Sequence, residues 1–237
     1  AAPAGRVATT ASPPPATLRA APGRTVTART GVRVMGTGSD SEPSPQPRRR
    51  SGAEGGTPAR EQVLFFDLET QRSAEEVGGW DRISDMKLAL AVTYNDTTSE
   101  FRTYHEKDVD RLLLDLVMAD RVVGYNIDRF DLQVLKGYTT WDLSRIRTSD
   151  MLADIYRRLG FRLKLTDLAE ATLGVGKTAD GLQSLQWWKE GRLDLIEQYC
   201  RRDVEVTRDV YRFGRANGYV LYRDRDGRPL RLPVAWK

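Results

Sequence analysis

Two acidic residues beside an apolar run are the first sign of chemistry in this sequence. Asp67 and Glu69 directly follow residues 63–66, Val-Leu-Phe-Phe, which are typical of a strand covered on both faces. Side chains two positions apart in a strand share a face, so we expect the two carboxylates to lie side by side. Ionising such a pair in a half-buried place is costly unless a cation compensates the charge. If the strand ends before Asp67, both side chains are instead solvated loop residues.

Further carboxylates follow a later predicted strand. Residues 126–131, Asn-Ile-Asp-Arg-Phe-Asp, lie at a predicted junction of strand and helix, where open α/β sheets commonly build their sites. Asn126 and Asp128 are also good N-cap residues, so helix capping is the alternative role for both. Asp131 fits that alternative less well, because we expect it inside a helix that has already begun.

A third pair lies in a long predicted helix. Tyr199 and Asp203 are four residues apart, so the phenol and the carboxylate point from one face, about one turn apart. Val206, Val210 and Phe213 continue near that face, which is therefore expected to point inward. A carboxylate that faces a core needs a partner, either a metal ion or an arginine in a salt bridge.

The scarcity of other reactive residues narrows the chemistry. The single cysteine, Cys200, excludes a disulfide framework and a cysteine-rich zinc site. The single histidine, His105, argues against Ser-His-Asp and Cys-His sites. No apolar run approaches the ~18–20 residues that a membrane-spanning helix needs, so we exclude a membrane protein and expect a cytoplasmic one. Mostly carboxylates remain for catalysis.

The order of predicted elements indicates an α/β fold. Strands are expected over residues 63–66, 88–94, 100–104 and 121–125, with the first three antiparallel. Helices are expected over residues 108–118, 129–136, 150–159, 165–173, 182–188 and 192–215. Asp226 and Gly227 predict a hairpin turn within residues 219–232. We therefore predict a mixed sheet flanked by helices, in a domain over residues 61–237 that ends in a short hairpin.

Residues 1–60 differ in composition from the rest of the chain. They hold nine of the 37 basic residues but only three of the 33 acidic ones, which leaves residues 61–237 slightly acidic. Net charge therefore gives no sign of a uniformly basic nucleic-acid clamp. Small and polar residues dominate the segment, so we predict a disordered low-complexity tail. A transit peptide is the less favoured alternative, and a translation start near Met35 would make the earlier residues an artefact.

The three acidic motifs, in this order, resemble those of the DEDD, or DnaQ-like, 3′–5′ exonucleases of the ribonuclease H-like superfamily. Tyr199 gives the third motif the tyrosine form that marks the DEDDy branch. The similarity is greater still to the bacterial YprB-like ribonuclease H-like family, through residues 65–71, 122–127 and 179–188. The resemblance covers roughly residues 63–222 and does not include the N-terminal segment.

This resemblance implies a metal-dependent 3′–5′ exonuclease that releases nucleoside 5′-monophosphates. It implies two divalent ions, Mg²⁺ or Mn²⁺, held by Asp67, Glu69, Asp131 and Asp203. It also implies that Tyr199 orients the attacking water. The family places an aromatic residue directly before its second-motif aspartate, which selects Asp131 rather than the earlier aspartate at position 128.

Substrate and partners are less closely specified. The candidate substrate-binding residues are Thr70, Asn126 and Lys177. Nucleic acid is the expected partner, DNA more than RNA, with a helicase as a further candidate and DNA repair as the family-level role. RNA trimming of the ribonuclease D type is the near alternative, because those enzymes share the tyrosine motif. A non-catalytic module that binds nucleic acid or a helicase is the alternative from a different class.

Two other groups of residues could contact nucleic acid. Basic residues are concentrated over residues 145–164 and could hold phosphates. Alternatively, they form a solvated helix face that Asp150 and Asp154 balance. Trp187 and Trp188 could stack on bases, although adjacent tryptophans on a helix point in different directions, so at least one is expected in the core.

Overall fold

A five-stranded mixed sheet lies at the centre of the computed structural model, which describes residues 61–176 and 181–237. The strands are β1 (Val63–Thr70), β2 (Leu88–Asn95), β3 (Glu100–His105), β4 (Arg121–Gly124) and β5 (Thr148–Asp150). Their order across the sheet is β3-β2-β1-β4-β5. The first three strands pair antiparallel, whereas β4 pairs parallel to β1 and β5 pairs parallel to β4. This topology confirms the predicted α/β fold with an antiparallel start.

Helices cover both faces of the sheet. They are α1 (Ala74–Val77), α2 (Val109–Met118), α3 (Asp131–Leu135), α4 (Met151–Leu159), α5 (Leu165–Leu173), α6 (Gly181–Lys189) and α7 (Leu193–Asn217). A 3₁₀ helix, Trp80–Asp85, lies between α1 and β2. After α7 the chain forms an antiparallel hairpin of β6 (Tyr219–Arg223) and β7 (Pro229–Pro233), at the place where the sequence indicates one.

Strand β1 is buried between two hydrophobic layers. Phe65 packs on the α7 side, where its ring meets the ring of Tyr211 edge-on with 5.5 Å between centroids. Phe66 and Leu68 point to the opposite side and pack with Leu112 of α2. Burial of each such side chain contributes about 1.5–3 kcal/mol. This alternation determines which side chains of β1 face α7. Asp67 and Glu69 lie further along the same face as Phe65.

The structure confirms the strand interpretation at the first motif and differs from the sequence-based prediction at the second. Strand β1 continues to Thr70, so it does not end before Asp67. Helix α3 begins at Asp131, two residues later than predicted, and neither Asn126 nor Asp128 caps it. The delay arises because Asn126 adopts a left-handed backbone (φ 71°), which turns the chain after β4. Asp131 is therefore the first residue of its helix rather than an interior one.

Some predicted features lie outside the described residues. These are the N-terminal segment, residues 1–60, and the candidate substrate-binding residue Lys177. Within residues 61–176 and 181–237, none of the helices combines the length and the apolar character needed to cross a bilayer.

Candidate metal centre

Strand β1 and helix α7 bring three carboxylates together. Asp67 and Glu69 lie on the face of β1 that also carries Phe65, so they point towards α7. Asp203 reaches the same place from α7, and one carboxylate oxygen from each of the three residues lies within 4.8 Å of the others. All three side chains are half-buried. Solvent therefore still reaches the group.

Asp131 approaches β1 from α3 and lies outside this group of three. Its Oδ1 accepts a hydrogen bond of 3.1 Å from the backbone N–H of Leu68, and the residue is only 2% exposed. Its charge raises the pKa of both Asp67 and Glu69, which places it beside them. Asp128 instead lies next to Thr148 of β5. Of the two aspartates in the second motif, Asp131 is the one that adjoins β1.

The electrostatics of the cluster make full ionisation costly. Burial raises the pKa of Asp67, and the charges of Asp131, Asp203 and Glu69 raise it further. Burial also raises the pKa of Glu69 to about 8 and that of Asp131 to about 8. A divalent cation would offset this repulsion, and clustered carboxylate oxygens are the ligands that Mg²⁺ and Mn²⁺ prefer. The donor set therefore fits such an ion.

A buried hydroxyl beside the acids supports the same conclusion. Ser184, on α6, is completely buried, and its Oγ makes no hydrogen bond with any atom of the described chain. It nevertheless lies close enough to Glu69 to lower the pKa of that carboxyl. An unpaired buried hydroxyl costs about 1–3 kcal/mol, so such groups are normally satisfied by a ligand, an ion or water. Ser184 is a site residue that the sequence-based reasoning did not identify.

Tyr199 lies one helical turn before Asp203 and shares its surroundings. Burial raises the pKa of the phenol, and the charges of Asp203, Glu69 and Asp67 raise it further, with a hydrogen bond to Asp203 adding to the effect. The hydroxyl is therefore protonated at neutral pH and acts as a donor. Its ring packs edge-on against Trp187 of α6, with 6.2 Å between centroids. Packing on one side and the acids on the other hold the phenol in place.

Asp150 holds the turn that leads to Asp131. It is 7% exposed, and its carboxylate accepts hydrogen bonds from the backbone N–H groups of Asn126 (2.9 Å), Asp128 (3.1 Å) and Ala153 (3.1 Å). The third of these bonds caps α4. Asp150 thus joins the start of α4 to the loop after β4. The position of Asp150 at a predicted helix start indicates the cap on α4, whereas nothing in the sequence indicates its contacts with the loop after β4.

A glycine permits this close arrangement at the end of β4. A Cβ on Gly124 would lie 2.8 Å from the carbonyl oxygen of Phe66 and 2.3 Å from Cγ2 of Ile127. Any larger residue would push β4 and its loop away from β1. Close contact between these two strands is what brings the loop, and Asp131 after it, to the acidic face.

The candidate substrate residues have different surroundings. Thr70 is 7% exposed, and its hydroxyl donates to the carbonyl of Arg72, 3.1 Å away. Asn126 is half-buried, and its side-chain oxygen accepts a hydrogen bond of 3.0 Å from Arg162. Both therefore already have partners within the chain, and only Asn126 keeps an accessible side chain.

Basic residues within 145–164 and the two tryptophans of α6 also have partners within the protein. Asp154 forms ion pairs with Arg157 (3.3 Å) and Arg158 (3.2 Å), which matches the solvated helix face rather than a set of free cations. Trp187 and Trp188 are both half-buried and pack against the core on the α7 side. Neither tryptophan presents an open face comparable to an exposed ring.

The comparison with known families agrees with this arrangement of elements. The family model RNase_H_2, described as RNase_H superfamily, matches residues 64–213, more than half of the chain. The matched region runs from β1 into α7 and contains every carboxylate of the cluster. No curated protein matches the chain. The chain belongs to the RNase_H_2 family of the RNase H superfamily.

Proposed function

We propose that this protein is a metal-dependent 3′–5′ exonuclease whose activity resides in residues 61–237. The observation that carries the proposal is the convergence of Asp67, Glu69 and Asp203 beside the protonated phenol of Tyr199. A superfamily of nucleic-acid hydrolases supplies the general reaction, and the tyrosine supports the exonuclease form of it. The 3′–5′ direction and the preference for DNA come from the resemblance to the DEDDy and YprB-like families.

Four carboxylates would hold the metal ions. Asp67, Glu69 and Asp203 form the closest group, and Asp131 adjoins Asp67 from the other side. We propose two ions, Mg²⁺ or Mn²⁺, which would lower the pKa of a water molecule and stabilise the charge that develops on the leaving oxygen. The high pKa values of Glu69 and Asp131 reflect the need for such positive charge.

Tyr199 would position the nucleophile. Its hydroxyl stays protonated and hydrogen-bonds to Asp203, so it can also orient a water molecule towards the phosphorus. The water would release one proton to solvent, and its oxygen would form a bond to phosphorus as the bond from phosphorus to the 3′ oxygen of the preceding nucleotide breaks. The departing 3′ oxygen takes a proton from solvent. The products are a nucleoside 5′-monophosphate and a strand one nucleotide shorter.

Substrate contacts and partners follow as further proposals. Asn126, the more accessible of the two described candidates, would contact the sugar or phosphate together with Arg162. Thr70 would act through the backbone turn that its hydroxyl stabilises. Lys177 remains a substrate-binding prediction from sequence, as do a helicase partner, a role in DNA repair and a cytoplasmic location.

The direct test follows 5′-labelled single-stranded DNA and matched RNA in Mg²⁺ or Mn²⁺ at single-nucleotide resolution. We expect a ladder that shortens from the 3′ end, with DNA degraded faster than RNA. Asp67→Ala, purified in parallel, should show no ladder, which excludes a contaminating nuclease. Faster degradation of RNA than of DNA would instead indicate an RNA-trimming exonuclease of the ribonuclease D type.

A circular single strand separates exonuclease from endonuclease. Because it has no 3′ end, it should remain intact under conditions that degrade the linear strand. Tyr199→Phe should lower turnover while metal binding, measured by calorimetry, stays close to that of the wild type. Cleavage of the circle would contradict the exonuclease proposal, and lost metal binding in Tyr199→Phe would make the tyrosine structural.

A further inference from the structure

A large aromatic side chain is exposed at the end of the sheet that carries the acids. Trp80 is 69% exposed, although tryptophan is among the residues that gain most from burial. It begins the 3₁₀ helix Trp80–Asp85, in the segment that joins β1 to β2. Backbone hydrogen bonds from Gln71 and Arg72 to Lys87 and Met86 close that segment against the strand ends. Trp80 therefore belongs to the connection that directly follows the acid-bearing strand β1.

Packing on α3 holds the ring in place. Trp80 contacts Phe130 edge-on, with 6.4 Å between ring centroids and 62° between their planes. Phe130 directly precedes Asp131, so the tryptophan contacts the immediate neighbour of one proposed metal ligand. A Cβ on Gly137 would lie 2.2 Å from the carbonyl oxygen of Ser84, so the 3₁₀ helix is closely packed on the chain after α3. These contacts hold the Trp80 ring in a fixed position while most of its surface stays exposed.

An ion pair connects the same segment to helix α6. Glu76 of α1 binds Lys189 of α6 at 2.7 Å. Helix α6 also carries Ser184, next to Glu69, and Trp187, next to Tyr199. The segment before β2 and helix α6 therefore both border the acidic cluster. Trp80 belongs to the first of these two elements.

The charges around Trp80 indicate what kind of group it can bind. Its neighbour Asp81 and nearby Glu75 are exposed acids, and Arg82 is neutralised by Asp85 at 2.7 Å. This surface does not attract phosphate. The accessible group is the uncharged face of the Trp80 ring, which can stack on a flat, uncharged, aromatic ligand. Nucleobases have this character, and every base can stack on such a face.

We propose that Trp80 is a stacking platform for an unpaired nucleobase of the strand whose 3′ end occupies the acidic cluster. The inference rests on the proposed function and adds a contact with the substrate strand outside the acidic cluster. A base in a duplex is already stacked and paired, so it must be freed before it can contact this ring. Trp80 is a positioning residue, because it acts on a nucleotide remote from the reacting phosphate.

The test measures the binding of a labelled single-stranded oligonucleotide by fluorescence anisotropy, with Ca²⁺ replacing Mg²⁺ to slow hydrolysis. We expect Trp80→Ala to weaken binding about 5- to 100-fold, the range that stacking on one aromatic side chain contributes. Trp80→Phe should retain most of the affinity. Trp141→Ala is the matched control, since Trp141 is 52% exposed but lies with Leu114 and Val117 of α2, and it should change binding by less than about twofold.

Oligonucleotides that lack one base identify the stacked nucleotide. Removing the base at the contacted position should weaken wild-type binding and leave Trp80→Ala unaffected, whereas removal at other positions should affect both proteins equally. The ratio of wild-type to Trp80→Ala affinity should also stay constant as salt rises, because stacking involves no ion release. With Mg²⁺ present, Trp80→Ala should raise KM more than it lowers kcat.

Two further outcomes keep this inference distinct from the proposed function. If the wild type degrades the linear strand and Trp80→Ala binds and degrades it equally well, the stacking platform is wrong and the exonuclease proposal stands. If the wild type neither binds nor degrades any nucleic acid, both fail. Melting temperatures of all variants exclude loss of folding as the cause, and retained binding by Trp80→Phe provides a second check.

Discussion

The sulfur of Cys200 lies 3.4 Å from Oδ2 of Asp67 and 3.3 Å from the backbone oxygen of the same residue. The thiol donates to both oxygens and so joins α7 to β1 immediately beside the acidic group. It lowers the pKa of Asp67, whereas burial and the nearby carboxylates raise the pKa of the thiol itself. Cys200 is thus a protonated, fully buried donor rather than a reactive thiolate.

Alkylation of Cys200 should report unfolding. The side chain is 0% exposed and is the single cysteine of the chain, so iodoacetamide reacts only after α7 separates from β1. We expect labelling of the folded protein to be at least about 100-fold slower than labelling in denaturant. Mg²⁺ should slow it further. An exposed thiol, introduced as Ser144→Cys in a Cys200→Ser background, should react quickly in both states; rapid labelling of native Cys200 would contradict the packing.

The two aspartates of the second motif should differ in their effects on activity. Asp131→Asn should reduce turnover by at least about 100-fold, because it removes a charge beside Asp67. Asp128→Asn is the matched control, since Asp128 lies beside Thr148 rather than β1, and it should change turnover a few-fold at most. Single-turnover assays on a labelled oligonucleotide measure both. Equal losses of turnover in the two variants would contradict the choice of Asp131 over Asp128 as the metal ligand.

Replacement of Asp150 should destabilise the protein. Asp150→Ala leaves three partly buried backbone N–H groups without their acceptor, so we expect a loss of about 2–4 kcal/mol in the free energy of unfolding. Urea denaturation measures this loss. Asp142→Ala is the control, because Asp142 also caps a helical turn but is exposed, and its removal should have little effect. A stable Asp150→Ala protein would show that the turn before Asp131 is held by other contacts.

Stability without metal should depend on pH through Glu69. Its pKa is about 8 in the folded protein and 4.5 ordinarily, so the folded state favours the protonated form. The resulting stability is complete below about pH 4.5 and is lost as pH rises to about 8. Glu69→Gln should therefore gain melting temperature over the wild type as pH rises through this window in EDTA. Glu170→Gln, at an exposed position on α5, should show no such gain.

Metal binding should remove this dependence. At concentrations near 100 times the dissociation constant, Mg²⁺ should stabilise the protein by about 2.7 kcal/mol, which corresponds to roughly 5–10 °C in melting temperature. The increase should be largest near pH 8, where the carboxylates repel most strongly, and should disappear in Asp67→Ala. An equal increase in Asp67→Ala would place the metal elsewhere.

Periodicity was enough to predict the main elements and the local directions of the acids. The alternation after the apolar run placed Asp67 and Glu69 on one face, and the spacing of four placed Tyr199 beside Asp203. Elements with several turns or a continuous apolar run carry such a signal. Helix α1, with four residues, and strand β5, with three, are too short to carry one.

Contacts between distant segments could not be read from the sequence. The role of Asp150 depends on the left-handed conformation of Asn126, which turns the loop after β4 towards β5. The burial of Ser184 depends on how α6 packs over β1. In each case the residue type is ordinary, and its importance comes from a neighbour far away in the chain.

The separation between Asp67 and Cys200 also affects when activity can appear during synthesis. These residues are 133 positions apart, so the strand that holds two acids emerges from the ribosome long before the helix that supplies the third. Strands β1, β2 and β3 can pair early through local contacts, but closing so long a loop is slow and must await α7. A nascent chain would therefore hold an incomplete set of carboxylates. The enzyme that we propose could not cut nucleic acid near the ribosome until its own domain had folded.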